Sequence, residues 1–538
     1  MTGVRQEVDE PDPDAFRRAA AAIGVEWGSV RAARFARRAV DARGRGADLH
    51  FEAQVELSLV GPPRSGLWTR LERSGRARVA RPDEPLAVPR AAGTDAPHVV
   101  VVGAGPGGLF AALAAAESGA RVTLLERGAA IEGRGRPVVA FHRGAEPDPE
   151  TNLLFGDGGA GTYSDGKLYT RTKDALEPAI LAALVDAGAP DDIAYDARAH
   201  IGTDKLHRIL PKLRARIEAA GARLCYGTRM TGLVVRPSPD GGSVVTAVRT
   251  TEGEVALDAL VLSIGHSARD TWEGLAAEGV VLEAKPFQLG VRIEHRQELV
   301  TSGRYGTGPL AGRLGPASYN LQSRGQPGAH SFCMCPGGRI VASVNEPGRL
   351  CTNGMSNSKH SSMWANAAIV TTLDPDDFAA LGHEGPLAGV ALQRELEARF
   401  FEAGGGTYAA PAQRADDYLR GVESTGELRT SYGFGAVPGR VDALLPAKVR
   451  DAIASALPRF DRTIPGFGGA EGLLVGIETR SSGPVRMTRE RDTRAALGFA
   501  NLYPVGEGAG YAGGIMSAAI DGARSARTAL GRALGSTV

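Results

Sequence analysis

Residues 98–127 read HVVVVGAGPGGLFAALAAAESGARVTLLER, and each part of a strand–turn–helix–strand unit is present in them. The four valines Val99 to Val102 have the continuous apolar character of a short strand buried on both faces, as in a parallel sheet. The chain then passes through Gly103, Gly105, Pro106, Gly107 and Gly108, in which Gly103, Gly105 and Gly108 hold the G-x-G-x-x-G spacing. The first of these permits a tight turn, the second a close backbone approach to a pyrophosphate, and the third close packing of helix on strand. Leu109, Ala112, Leu113 and Ala116 recur at helical spacing, and Gly119 ends the helix as a C-cap glycine does. Val122 to Leu125 form the second strand. Glu126 closes it about 20 residues beyond the glycines, where a carboxylate can bind ribose hydroxyls. An ordinary glycine-rich turn would leave that terminal acid unexplained, so the stretch is read as dinucleotide-binding.

A chain of 538 residues is too long for one core and implies two or three domains. The formal net charge of +1 gives no ground for nucleic acid or an anionic membrane as partner. The N-terminal MTGVRQEVDEPDPD is polar and acidic and lacks the apolar centre of a secretory signal. No run approaches the roughly 18 apolar residues of a membrane span, and the cytoplasm is the default location. Four cysteines are present, Cys225, Cys333, Cys335 and Cys351. None forms C-x-x-C, and two small buried residues explain Cys333 and Cys335 more readily than a redox pair. No histidine stands at ligand spacing from them, so no metal site is expected.

Residues 1–85 read as a small α+β module, with helices over Ala15 to Ile23 and Val30 to Ala42 and a half-buried strand over Ala47 to Val60. Its arginines Arg31, Arg34, Arg37, Arg38, Arg43 and Arg45 suggest a basic face, although a solvated helix surface is the commoner explanation. Residues 86–97 are a proline-rich linker. A first dinucleotide-binding part is assigned to 98–283. Within it Arg127 follows the acidic strand end, Arg134 and Arg136 follow shortly, and Asn152 to Lys167 reads NLLFGDGGAGTYSDGK. Such glycine density inside a domain marks backbone passing close to something flat or phosphorylated. Thr203 to Ala220 is an amphipathic helix containing Pro211, followed by strands over Arg223 to Val235, Ser243 to Thr250 and Val255 to Ile264, the last stopped by Gly265.

Residues 284–467 alternate in hydrophobicity between glycine and proline turns, so a mixed or antiparallel sheet is expected there as a substrate domain. Residues 468–538 return to the first domain. Leu502 to Val505 is a strand, Gly506-Glu507-Gly508-Ala509-Gly510-Tyr511-Ala512-Gly513-Gly514 follows, and a helix runs from Ile515 to Leu534. No acidic strand end follows this second glycine cluster, so it serves the same cofactor from the other side. Backbone N–H groups of Gly513, Gly514 and Ile515 at a helix N-terminus suit the flavin edge where negative charge gathers on reduction, with Glu507 near the ribityl or pyrophosphate end. This separates FAD from NAD as the resident cofactor.

The motifs GAGPGG (103–108), FGDGGAGTYSDGKL (155–168), HIGTDKL (200–206), GHSARDTW (265–272), FCMCPGG (332–338), NGMS (353–356), ETRSSGPVR (478–486) and GEGAGYAGGIMSAA (506–519) together resemble a bacterial family of FAD-dependent dehydrogenases among the glutathione-reductase-like flavoproteins. The resemblance implies a discontinuous FAD-binding Rossmann-type domain and redox chemistry, and implies no particular substrate. Beside the ring it places Gly159, Gly161, Thr162 and Lys167, with Gly158 and Ala160 among the further cofactor-binding residues. Where the family often has phenylalanine or threonine this chain has Tyr163 and Tyr169, a change expected on the substrate side.

Lys167 or Arg480 is a candidate clamp for an anionic substrate, and His266 or His360 a candidate acid or base, with Arg486 nearby in sequence. The leading expectation is an oxidoreductase passing a hydride between flavin N5 and a small organic molecule, with an electron donor or acceptor still to be met. A monooxygenase is the alternative. A tightly held second nucleotide is not expected, whereas transient NADPH or NADH binding stays open. A further alternative is a sensing or structural flavin with an N-terminal module that recruits a partner.

Overall fold

The valines Val99 to Val102 lie in the middle of a five-stranded parallel sheet. Its strand order is Leu502–Pro504, Ala259–Leu262, His98–Val102, Arg121–Leu125 and Arg223–Cys225. The computed structural model describes residues 1–534 except 44–47, 64, 81, 89–95, 169, 171–172, 240 and 326. The helix Pro106–Glu117 leaves the central strand and is buried almost throughout, because the helix Ile515–Ala533 covers its other side. Small residues make that contact possible. A Cβ on Gly108 would lie 1.7 Å from the Gly103 carbonyl oxygen, and one on Gly522 would lie 1.9 Å from the Gly107 carbonyl oxygen. This architecture is a mixed α/β fold with a Rossmann-like nucleotide-binding domain.

Two strands expected as single runs are each divided between sheets. Arg223–Cys225 ends the parallel sheet, and after a turn through Gly227 (φ +67°) the strand Met230–Pro237 opens an antiparallel three-stranded sheet with Ser243–Thr250 and Gly253–Ala256. The expected run over Val255 to Ile264 breaks likewise at Leu257 and Asp258 before Ala259–Leu262 returns to the parallel sheet. Local apolar content does not say which neighbour a residue will pair with, so both breaks escape a sequence reading.

A six-stranded sheet follows, in the order His330–Cys335, Trp364–Leu373, Phe287–Arg296, Leu473–Glu478, Ala410–Arg414 and Ala436–Pro438. All its neighbours are antiparallel except the last pair. The expected boundary at residue 467 is therefore too early. Leu473–Glu478 is an interior strand of this sheet, buried at every position because it pairs on both sides.

The N-terminal module holds a sheet ordered Val4–Glu7, His50–Leu59, Val30–Asp41, with the helix Asp12–Ala22 against it. Val30 to Ala42 is thus a strand and not the helix expected. Alanine and arginine favour helix locally, and register shifts at Val30/Ala32 and Phe35/Arg37 disrupt the two-residue alternation that would have marked a strand. Pairing with His50–Leu59 and burial of Phe35 override that propensity. The same strand docks on the main body. Arg38 N–H donates to the Tyr195 carbonyl (2.7 Å), and Ala197 N–H donates to the Arg38 carbonyl (2.8 Å). The Arg38 guanidinium also lies 5.0 Å from the Tyr195 ring centroid. Most of the expected linker falls outside the described residues. No helix among the described residues is long and apolar enough to cross a membrane.

Candidate functional site

Three glycine segments far apart in sequence meet at the C-terminal edge of the parallel sheet, where open α/β sheets bind their ligands. Gly158 N–H donates to the Ala104 carbonyl at 2.9 Å, tying the 158–163 turn to the first glycine loop. A Cβ on Gly159 would stand 3.0 Å from Gly105 Cα. One on Gly161 would stand 3.3 Å from the Ile515 side chain and 3.8 Å from Pro106. The turn therefore lies between the N-termini of the helices Pro106–Glu117 and Ile515–Ala533. The first N–H groups of a helix have no partner within it and carry partial positive charge. Gly513 and Gly514 are exposed, and an added Cβ would meet nothing within 4 Å at either.

The polar groups around this junction fit a dinucleotide. Glu126 is buried, and its Oε1 accepts from Gly128 N–H and Gly156 N–H, both at 2.9 Å. Its Oε2 accepts from Ala104 N–H at 2.7 Å. One backbone partner on Oε2 leaves that oxygen able to accept from a hydroxyl. Arg134 is fully buried. Its Nε donates to the Asn152 carbonyl (3.0 Å) and its Nη1 to the Asp157 carbonyl (2.6 Å), while Nη2 has no hydrogen-bond partner. Burial lowers its pKa to about 10, and it stays a cation. A buried unpaired donor on a cation beside a glycine loop suits a phosphate oxygen. Tyr163, expected on the substrate side, lies under this guanidinium, which is 4.9 Å from its ring centroid. Tyr169 lies outside the described residues.

Other expected ligands have different partners. Arg127 is shared between Glu150 (2.7 Å) and Asp270 (2.9 Å), with Phe155 stacked under it at 4.4 Å, so it braces the loop. Gly265 ends the strand Ala259–Leu262 in a left-handed turn (φ +71°), and a Cβ on Gly508 would stand 2.5 Å from its carbonyl oxygen. Gly506 N–H donates to Asp521 at 2.8 Å. Glu507 is half-buried, 3.9 Å from His266 Nε2. Burial pushes the Glu507 carboxyl up to about 7 against the pull of Lys285. Burial, reinforced by Arg480, pushes His266 down to about 4, so its ring is neutral at pH 7.

The four candidate catalytic residues separate. Lys167 and His360 are brought together by Asp165, which sequence reasoning overlooked. Lys167 Nζ lies 2.7 Å from Asp165 Oδ2, and His360 Nε2 lies 3.5 Å from Oδ1. The Ser356 hydroxyl donates to the same Oδ1. Burial alone would raise the Asp165 carboxyl, but Lys167 and His360 hold it well below the usual range. His360 has left-handed backbone (φ +50°) and stacks on His200 with centroids 4.1 Å apart. Burial and the His360 ring lower the His200 pKa. His266 stands apart from this group, beside Glu507.

Arg480 is not a free clamp. It is buried, and its Nε and Nη2 bind the two Glu397 oxygens at 3.0 and 2.9 Å, while Nη1 donates to Asn345. Arg269 binds the same carboxylate at 2.8 and 2.9 Å. The Asp-x-Lys spacing in YSDGK was the available signal for Asp165. Nothing in the sequence pointed to Glu397.

The model of the family described as "FAD-dependent protein, C-terminal domain-like" matches residues 286–481, and that of the "NAD(P)-binding Rossmann-like domain" matches 101–150. A protein of Clostridium beijerinckii, described as uncharacterized, is 40% identical over 432 residues, which cover 79% of each chain. Among solved structures, the glycine oxidase of Bacillus cereus is 11% identical (TM-score 0.35; 81% of this chain and 95% of that one). CtdE in complex with FAD is 10% identical (TM-score 0.32; 82% and 88%). Two helix N-termini and a buried carboxylate around one glycine turn define a Rossmann-type flavoprotein, with FAD as its cofactor. The chain belongs to the same family as the Clostridium beijerinckii protein, a family of FAD-dependent oxidoreductases.

Proposed function

We propose that this chain is a dehydrogenase or reductase of the glutathione-reductase-like type, acting on a small organic molecule at the Lys167–Asp165–His360 group. The observation that carries the proposal is that this group begins only a few residues after the glycine turn at 158–162. One of its members, His360, comes from the substrate domain. FAD supplies a two-electron carrier that exchanges a hydride with a substrate carbon. Gly105, Pro106, Gly107, Arg134 and Glu126 would hold its adenosine and pyrophosphate end, and Gly159, Gly161, Gly513, Gly514 and Ile515 its ring end.

The residues of the chain do the rest. Lys167 offers an ammonium group to an anionic substituent while Asp165 keeps the pair neutral between turnovers. An Asp165 carboxylate facing His360 Nε2 favours the tautomer protonated there, which leaves Nδ1 as the proton acceptor. General acid–base catalysis by a side chain positioned in this way contributes about 10²–10⁴ in rate. Docking of Arg38 onto Tyr195 and Ala197 supports reading the N-terminal module as part of the enzyme body and not as a recruiting arm.

The test is anaerobic mixing of the FAD-loaded protein with NADPH, NADH and panels of amino and hydroxy acids. Bleaching of the flavin by one class, lost in Asp165→Asn, supports the proposal. Failure of every class overturns it, and substrate-dependent oxygen uptake with NADPH would favour a monooxygenase.

A further inference from the structure

Cys333 has φ +45°, a left-handed conformation that non-glycine residues rarely adopt. It sits where the strand His330–Cys335 slips register against Trp364–Leu373, between Phe332 and Cys335. Bulges of this kind re-aim side chains next to active sites. The half-buried Cys333 and the buried Cys335 are free thiols, and Cys335 Sγ lies 3.3 Å from the Cys333 carbonyl oxygen. The fully buried Arg292 reaches both residues, with Nη2 donating to the Cys333 carbonyl at 3.1 Å and lying 3.9 Å from Cys335 Sγ. The rest of that guanidinium is held by Glu478 (2.9 Å) and Asn366, and the strained backbone at Cys333 is what two small apolar fillers would not need.

We infer that Cys333 and Cys335 are a redox pair that exchanges two electrons with the bound flavin. The inference rests on the flavin site proposed above. An extended Cys-x-Cys would span about 6.6 Å between Cα atoms, near the upper end of the roughly 4.4–6.8 Å that a disulfide spans.

The thiol of Cys333 also lies in the field of groups from both sides of the site. Donation from the Cys335 thiol, then Lys167 and Arg292, lowers its pKa against burial, and its charge in turn helps to raise Glu507. Lys167 follows the 158–162 turn and Glu507 belongs to the 506–514 cluster, the two segments that would flank the ring. In the reductive direction the S–S bond breaks on taking two electrons and one proton from the flavin. A second proton from solvent completes the two thiols. The reverse exchange forms the S–S bond and returns both electrons.

The pair lies alone in the tryptic peptide 325–339, which makes it measurable. Air-oxidised, FAD-loaded full chain is denatured, alkylated with iodoacetamide and digested, and the same preparation is titrated anaerobically with dithionite. The expected result is an unalkylated peptide 325–339 and uptake of four electrons per chain. Cys333→Ser and Cys335→Ser retain the flavin spectrum and take up two electrons, whereas Cys225→Ser behaves as the wild type. A flavin-loaded chain whose peptide carries two alkyl groups, or which takes up only two electrons, overturns the pair and leaves the flavin site standing. A folded chain that cannot be loaded with FAD overturns the site and the exchange together.

Discussion

Glu397→Gln tests whether Arg480 is a structural cation or a substrate clamp. The Glu397 carboxylate is fully buried and accepts five hydrogen bonds. Oε1 accepts from Arg269 Nη2, Arg480 Nε and the Thr479 hydroxyl, and Oε2 from Arg269 Nη1 and Arg480 Nη2. Burial would push this carboxyl up, but the two guanidinium groups outweigh it and hold the pKa far below the usual range. An amide is isosteric, yet its NH₂ would face two guanidinium nitrogens and would leave the buried Arg480 without its carboxylate partner, while Arg269 would keep only the Glu346 carboxylate at 2.8 Å. Breaking a buried pair in this way costs about 3–5 kcal/mol. At somewhat under 2–4 °C per kcal/mol for a chain of this length, the midpoint of thermal unfolding should fall by roughly 5–10 °C. Arg269 begins a helix attached to the parallel sheet, and Glu397 lies in a helix, Ala388–Ala403, that covers the six-stranded one, so the loss should appear as early release of flavin. The assay is a melt followed by flavin fluorescence, repeated for Arg480→Lys and the double variant. Coupling between the two sites should make the double change less costly than the sum. A wild-type melt for Glu397→Gln, or an Arg480→Lys variant with raised KM and an unchanged midpoint, would refute the argument.

Gly522→Ala should separate the two helices that cover the parallel sheet, because its Cβ would stand 1.9 Å from a backbone oxygen. Overpacking costs about 1–3 kcal/mol or more, and equilibrium unfolding in urea measures it. Gly513→Ala meets nothing within 4 Å and should melt as the wild type does while binding FAD more weakly, as fluorescence titration of the apoprotein will show. Lys167→Met should retain FAD and lower kcat/KM for an anionic substrate, whereas an unchanged value removes Lys167 from the site.

His266 supplies one part of the pH dependence, and the buried His295, also lowered to about 4, supplies another. The His266 pKa is about 4 in the fold, against the 6.5 of a histidine in an unfolded chain. Between those values the unfolded state binds the extra proton, so stability falls as pH falls. From pH 6.5 to pH 5 the loss is about 2 kcal/mol. His266→Asn should make that part of the urea-midpoint profile shallower, with His295 supplying what remains, and an unaltered slope would rule out the buried neutral His266 ring as a source.

The legible part of this protein was the part encoded locally. Residues 98–127 contain a whole strand–helix–strand unit, and the glycine segments at 158–162 and 506–514 announce close approach of backbone wherever they occur. The fold uses all three together. What stayed hidden depends on pairs distant in sequence. Asp165 meets Ser356 191 residues away, and Glu397 meets Arg480 83 residues away, so neither carboxylate stands out in its own neighbourhood. The strain at Cys333 was hidden too, because a left-handed φ at a bulge arises from sheet register and leaves no compositional trace. Val30–Asp41 was misread because its alanines and arginines favour a helix until a partner strand is present.

The parallel sheet is assembled from both sides of an insertion. Its strands His98–Val102 and Ala259–Leu262 are synthesised before the six-stranded sheet, and the neighbouring strand Leu502–Pro504 and the helix Ile515–Ala533 after it. On the ribosome, the helix Pro106–Glu117 must therefore wait with one apolar side uncovered while about 400 residues emerge. The second helix N-terminus at the 158–163 turn also arrives only at the end of that interval. Tight retention of flavin at that turn would for this reason wait for the C-terminal helix to be synthesised.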